Sequence, residues 1–297
     1  METRKSFLAR KKVGLILRVY AKEENQIMAR VEMIGKAISA ARKATVDNKE
    51  LIQRIDVLVW NDQNYPDADC GRTADALSDH FGHEKNLFVT DFSYGDIFCG
   101  ILNYGVAHQL RHGVNYSIIV SAEAFSYMTP ETMTAMVNAA RKGALAIGVA
   151  INELTPSILD GRIANTFAMW HNESLMTVGG FDLRAAKPVD DRSAFYMKGW
   201  SSEKQEDVFY HLAGVEEVIP LARMVQIFGP CIAPILPQGE GIQRYQAPDP
   251  AAEPELWKRH IAKMGTKFQR QCALLAQIGV EPSFLEGGVM PEYRNQQ

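Results

Sequence analysis

Long apolar runs are missing from this 297-residue chain, and no stretch approaches the ~20 apolar residues that crossing a bilayer needs. The basic start, Met1 to Lys12, leads into Val13–Val19, but that run carries Arg18 and is shorter than a signal-peptide core. Cysteine is scarce. Cys70, Cys99, Cys231 and Cys272 stand far apart with no Cys-x-x-Cys pair, which excludes a zinc ribbon and a disulfide framework. A reducing, cytoplasmic setting is expected, and peripheral attachment to a membrane is compatible with it. Neither sign of charge dominates: 32 basic and 35 acidic residues give a net charge of −3, spread along the chain rather than blocked. Nothing here asks for a nucleic-acid backbone. The seven histidines show no metal-ligand spacing. The turn after the first apolar run, Tyr20-Ala-Lys-Glu-Glu24, contains no glycine, which excludes the Gly-x-Gly-x-x-Gly phosphate loop of a dinucleotide-dependent oxidoreductase.

What is present is an alternation. Short apolar runs of strand length, Val13–Val19, Ile55–Trp60, Asn86–Thr90, Tyr116–Val120 and Ala144–Ile151, are separated by stretches of helical periodicity. Ile27, Met28, Val31, Ile34, Ile38 and Ala41 carry the first such stretch, and Pro130 and Gly143 bracket a later one, as proline in a first turn and glycine past a last turn would. This pattern predicts an α/β fold with a doubly wound, mostly parallel sheet and helices on both faces, whose ligand site lies at the carboxyl ends of the strands. Asp62, Asp91 and Glu123 all follow such ends.

The second half reads less regularly. A strand over Ala164–His171, a turn Gly179-Gly-Phe-Asp182, a loop reaching Trp200, a helix over Val215–Phe228 and a strand over Cys231–Leu236 are expected. Gln238–Pro254 reads as a linker, and Glu255–Ile278 as one amphipathic helix that packs back on the domain or against a second subunit. The expected division is a main domain over 1–237 and a linker with its helix over 238–297.

Several short motifs follow one another in a recognisable order: Val57-Leu-Val-Trp-Asn-Asp62 at a strand end, Ile101-Leu-Asn-Tyr-Gly-Val106 in a helix, Ser121-Ala-Glu123 at the next strand end, Gly179-Gly-Phe-Asp182, and Glu216-Glu217 at a helix start. Over roughly Val13 to Pro237 the chain resembles GT-A fold glycosyltransferases of the family 2 type, which transfer a sugar from a nucleotide-diphosphate donor such as a UDP-sugar. The resemblance implies a GT-A-like, Rossmann-like sheet with an added C-terminal helix. It implies nucleotide contacts from Asp62, Asp91, Asn103 and Ser121, a Mg²⁺ or Mn²⁺ ligand at Glu123, and an inverting reaction with Glu217 as the base and Glu216 beside it. The acceptor, a glycan, lipid or small molecule, is left open. In the family the strand-end motif is Asp-x-Asp, and Ser121 here replaces the first acid, so a catalytically impaired nucleotide-sugar-binding protein is the alternative.

Each residue also has a plainer reading. Glu123 can cap a loop, Asp62 can close a turn, Asn103 can tie its helix to the next loop, Asp182 can anchor its turn, and Glu216 and Glu217 can be favourable first-turn residues. His171 and His211 near the acceptor motifs read first as surface or loop residues, and Trp170 and Trp200, which could stack on a sugar ring, first as core residues. A nucleotidyltransferase would share a related sheet but carry a glycine-rich basic loop after the first strand.

Overall fold

A computed structural model describes residues 11–21, 23–46, 49–60, 70–92, 98–150, 161–186, 196–201, 205–212, 214–242 and 248–296. The apolar runs become strands because they can be buried on both faces. In β1 (Val13–Val19) only Arg18 keeps partial exposure. Next come the two-residue strands β2 (Thr45–Val46) and β3 (Lys49–Glu50), then β4 (Ile52–Trp60), β5 (Leu87–Phe92), β6 (Tyr116–Ser121), β7 (Ala146–Ala150), β8 (Ile163–His171), β9 (Tyr196–Ser201), β10 (Glu206–His211) and β11 (Ile232–Ile235).

Seven of these form one sheet in the order β11-β7-β8-β6-β1-β4-β5. All neighbours are parallel except β8, which runs antiparallel to both β6 and β7. The predicted strand is thus present, but an apolar run carries no sign of its direction. Chain order runs outward from β1 through β4 to β5 and then returns to β6 on the other side. A crevice therefore opens at the carboxyl ends between β1 and β6, where ligands of such sheets bind. β2 pairs with β3 and β9 with β10, each as an antiparallel ribbon. The loop expected from Asp182 to Trp200 is correspondingly shorter, since Tyr196–Ser201 is already strand.

Helices cover both faces. On one side α1 (Ile27–Lys43) buries Ile27, Val31, Ile34, Ala37, Ile38 and Ala41, the residues its 3.6-residue period aligns. It is joined there by α2 (Cys70–Phe81) and by α4 (Pro130–Arg141), which follows α3 (Phe98–Arg111) in the chain. Thr129 caps α4, its hydroxyl accepting from the Thr132 amide at 3.1 Å. On the other side lie α3, α5 (Asn172–Thr177), α6 (Val218–Phe228) and, from the C-terminal part of the chain, α8 (Lys267–Ala276). The single helix expected over Glu255–Ile278 is divided: α7 (Pro254–Gly265) ends where Gly265 and Thr266, both weak helix formers, meet, and α8 starts anew. After α9 (Phe284–Gly287) the chain meets β11, with Gly288 O accepting from the amides of Cys231 and Ile232 at 3.0 Å each. That contact covers the edge of the sheet.

One polar cluster sits inside this apolar frame. Asp56 and Arg54, two residues apart on β4 and hence on one face, form a bidentate pair at 2.8 and 2.9 Å. Gln109 of α3 donates to Asp56 Oδ2 at 2.8 Å and to Leu15 O at 2.9 Å, while Ser117 of β6 donates to Gln109 Oε1 at 2.6 Å. One helix is thereby tied to three strands. Gly14 leaves the room this requires, since a Cβ there would run into the Gln109 amide. Asp56 is 0% exposed and Arg54 7% exposed. Removing one member of a buried pair strands the other charge, so Asp56→Ala should lower the urea-derived stability by about 3–5 kcal/mol, with the larger share lost if α3 detaches.

Candidate functional site

The carboxyl edge between β1 and β6 carries residues from distant parts of the chain. Arg18 lies level with Ser121 across the β1–β6 pairing. Both sit on the α3 side of the sheet, and the Arg18 guanidinium stands over the Phe98 ring at 4.6 Å. Phe98 in turn meets Trp60, the last residue of β4, at 5.7 Å, and Trp60 meets Tyr20 edge-on at 6.0 Å. Arg30 lies 5.6 Å from the Tyr20 ring. The rim of the crevice is therefore a row of three aromatic rings flanked by two arginines, with partial exposure at Tyr20, Trp60 and Phe98. None of these was singled out in the sequence as a site. The signal was an aromatic residue at or just after the end of β1 and of β4, Tyr20 and Trp60; Phe98, the first residue of α3, gave none.

The acidic pair stands just before α6. Glu217 is 1% exposed and its carboxylate receives the Nε–H of Arg162, which precedes β8 and is itself 3% exposed. It immediately precedes α6, and its carbonyl takes the Leu221 amide at 3.1 Å. Glu216 keeps part of its surface open. Its pKa is raised by burial and by the neighbouring Glu217, against the opposing pull of Arg18 and Lys267. Cys99, in the first turn of α3, feels the same carboxylates: burial first, then Glu216, Asp182 and Glu217 push its thiol well above its ordinary value. These couplings bring Arg18, Cys99 and Glu216 into one neighbourhood, and they leave Cys99 as a protonated core thiol rather than a nucleophile.

Other expected residues have different places. Asn103 holds the Gly179–Asp182 turn: its Oδ1 accepts from Phe181 N at 2.7 Å and its Nδ2 donates to Phe181 O at 2.9 Å. Gly180, at φ +71°, lies so close to this amide that a Cβ would collide with it. Asp182 anchors the turn's end. Its carboxylate takes the Arg184 guanidinium at 2.6 and 2.7 Å and the Arg184 amide at 3.0 Å, with Arg223 of α6 at 3.7 Å. Burial raises the Asp182 pKa, but the bonds from Arg184 and the two arginine charges outweigh it and bring it below the ordinary value. Asp91 is exposed at the end of the edge strand β5. It lies three strand steps from Ser121, about 14 Å at the usual spacing, and strand parity turns it to the other face from Arg18.

His171 and Trp170 end β8 at the opposite edge of the sheet, where they pair with Tyr116 and Ser117. His171 Nδ1 lies 2.8 Å from Ser174 Oγ, and Trp170 packs in the core against Phe181 at 5.3 Å between ring centres. The antiparallel course of β8 puts them there, away from any acceptor at the carboxyl edge. Asp62 lies outside the described residues, as do the side chains of Glu123, Trp200 and His211; the backbone of Glu123 runs in the 3₁₀ turn Ala122–Tyr127 that leaves β6. Among the described residues no three His, Cys, Asp or Glu side chains gather to hold a metal ion, and no described helix is long and apolar enough to cross a membrane.

No protein-family model matches the chain, and no curated protein does. Solved structures similar to it include mannosyltransferase PcManGT from Pyrobaculum calidifontis in complex with GDP-Man and Mn2+, at 13% identity and TM-score 0.46 over 92% of this chain and 77% of that one. They also include glucosyl-3-phosphoglycerate synthase from Mycobacterium tuberculosis with Mg2+ and UDP, at 12% identity and TM-score 0.46 over 92% and 81%. A cytidylyltransferase from Leptospira borgpetersenii aligns at 9% identity and TM-score 0.43 over 94% and 99%.

Because Asn103 satisfies both backbone groups of Phe181, Asn103→Ala should cost about 1–3 kcal/mol. Thermal unfolding would register the loss, and limited proteolysis should cut near residues 179–182 faster than in wild type.

Proposed function

We propose that the protein is a GT-A-type glycosyltransferase that moves a sugar from a nucleoside-diphosphate-sugar donor to an acceptor hydroxyl with inversion. One juxtaposition supports this reading above all. A partly open carboxylate with a raised pKa, Glu216, feels the charge of Arg18, which lies near the carboxyl end of β1 where the strand order reverses. The order of motifs from Val57 to Glu217 adds to it.

In this reading the Tyr20–Trp60–Phe98 row offers ring faces and edges to a nucleobase, and Asp62 reaches the nucleotide from the same strand end. Arg18 and the hydroxyl of Ser121 face the diphosphate. Glu123, at the exit of β6, is the proposed ligand of Mg²⁺ or Mn²⁺, which would supply charge neutralisation for the leaving diphosphate. The acceptor hydroxyl attacks the anomeric carbon as its proton passes to Glu216, and the bond to the diphosphate oxygen breaks with its electron pair going to the leaving group.

Glu216 takes the role of base and Glu217 does not, since Glu217 is closed off and committed to Arg162. Its charge instead serves to raise its neighbour. A higher pKa makes a carboxylate a better proton acceptor.

Two measurements test the assignment. Calorimetric titration with UDP and GDP, with and without Mn²⁺, should show metal-dependent binding that Glu123→Ala abolishes; no binding of either nucleotide would sink the proposal. Binding without any donor hydrolysis or transfer would favour the nucleotide-sugar-binding alternative, which the serine at position 121 also suits.

Glu216→Gln should lower kcat by about 10²–10⁴-fold. The acid limb of the wild-type kcat/KM profile should lie above the ordinary glutamate range. The sign for stability is opposite to that of a salt-bridged acid. A pKa raised in the folded state favours folding at low pH, and this contribution is lost as pH rises through the folded value. Glu216→Gln should therefore unfold at a higher temperature than wild type at about pH 8 and at a similar one at about pH 4, close to the ordinary glutamate value.

A further inference from the structure

The far end of α3 carries chemistry that the proposed reaction does not use. His108-Gln-Leu-Arg-His112 has the four-residue spacing of metal ligands on a helix, against the expectation that the histidines show none. His112 follows the last residue of α3, yet its amide still bonds back to His108 O at 3.3 Å, so the helical spacing holds. The two ring centres are 4.6 Å apart, with the planes at 76°.

The Nδ1 atoms set this pair apart from two histidines that merely share a helix surface. His112 Nδ1 lies 2.9 Å from His108 O, an atom that only accepts, so this nitrogen carries the hydrogen. His108 Nδ1 lies 3.2 Å from Oδ1 of the buried Asp56. Arg54 Nη2 comes within 3.3 Å of the same nitrogen, but it already donates to an Asp56 oxygen at 2.9 Å, and a hydrogen on His108 Nδ1 gains the stronger, charge-assisted bond to the carboxylate. Both rings are thereby left with a lone pair on Nε2. Histidines that hold metal ions are fixed in this way, the other nitrogen donating to a carboxylate or a backbone carbonyl. Tyr104, stacked on His108 at 5.5 Å and 20°, steadies that ring further.

The spacing of the rings fits a single ion. With metal–nitrogen bonds of about 2.0–2.1 Å each ring centre lies about 3.2 Å from the metal, and ligand angles of about 90–110° put the two centres about 4.5–5.2 Å apart. The His108 side chain is 24% exposed and His112 is an exposed residue, so an ion reaches both from solvent. Two cations stand nearby. Arg54 is neutralised by Asp56, and Lys12, which reaches toward Gly113, is exposed and free to keep its water. The carboxyl end of a helix favours positive charge in its own right.

We propose that Nε2 of His108 and Nε2 of His112 bind one divalent transition-metal ion of the class that imidazole prefers, such as Zn²⁺ or Cu²⁺, with water in its other positions. The ion would clip the end of α3 beside its anchor at Asp56. Phe98 starts the same helix at the crevice, about 21 Å away along the axis, so this site is separate from the crevice and does not rest on the glycosyl-transfer reading.

Calorimetric titration of the full chain with zinc chloride tests it, without nucleotide, in a non-chelating buffer at about pH 7.5, where imidazoles are largely neutral. Wild type is expected to bind zinc. His112→Ala should lose one site per chain, or hold zinc there at least about ten-fold more weakly, while its Tm without metal stays close to that of wild type because His112 is exposed. His108→Gln, whose amide can still bond to Asp56, should lose the same site. Wild-type affinity should fall between about pH 7.5 and about pH 5.5 as protons compete for the rings, and magnesium, a hard cation that seeks oxygen, should not displace zinc. No zinc binding by wild type, or the same binding in His112→Ala, would overturn the site. Loss in His112→Ala with full binding in His108→Gln would put the ion on His112 alone and overturn the pairing.

Discussion

The buried carboxylate of Asp56 fixes the position of α3, and much of the site depends on that helix. Through Gln109 it binds α3 to β1, β4 and β6 at the helix's C-terminal end. The same helix then presents Asn103, six residues earlier and about 9 Å along its axis, to the backbone of Phe181. From that turn Asp182 reaches Arg223 on α6, and α6 begins immediately after Glu217. A chain of polar contacts thus runs from the middle of the sheet to the acidic pair. Apolar packing alone would allow α3 to slide along the sheet by a fraction of a turn. Directional bonds to a buried charge do not.

The acidic pair divides two tasks that a lone carboxylate could not combine. Glu217 is held by Arg162 and shut away from solvent, which fixes the backbone at the start of α6. Glu216, the adjacent residue, keeps an open surface and a pKa lifted by burial and by that neighbour. Position in the turn, one residue before the helix begins, decides which of the two faces inward.

Much of the sheet was legible in the sequence, because β1, β6 and the second half of β4 are largely apolar and α1 shows its buried face at helical spacing. What was not legible depended on partners far away in the chain. Nothing in Ile163–His171 tells that β8 runs against its neighbours, so a place for Trp170 and His171 near an acceptor stayed open beside the plainer core and loop readings, and the fold puts them away from the carboxyl edge. Arg54-x-Asp56 inside an otherwise apolar strand was a visible anomaly, yet its helix partner Gln109 is 53 residues further on. Arg162 gave no signal, being 55 residues from Glu217. The order of Glu216 and Glu217 as open and closed residues follows from where α6 starts, and helix ends are the least certain feature of a periodic pattern. Asn103 and the Gly179–Asp182 turn were both noticed as motifs; Asp182 anchors its turn as the plainer expectation had it, whereas Asn103 holds that distant turn and not the loop that follows its own helix.

The strip of backbone at Gly288–Met290 that seals the edge of β11 bears on how the chain is made. A ribosome releases the polypeptide from its amino end, and β11 leaves the tunnel well before the segment that will cover it. During that interval the nascent molecule has an open sheet edge of the kind that invites pairing with another chain. The same interval leaves α6 without α8 and Glu216 without the cations that α8 brings. Contacts between residues so far apart in sequence close slowly. The unfinished molecule therefore has both an edge open to pairing with other chains and an acidic pair that is still electrostatically unfinished.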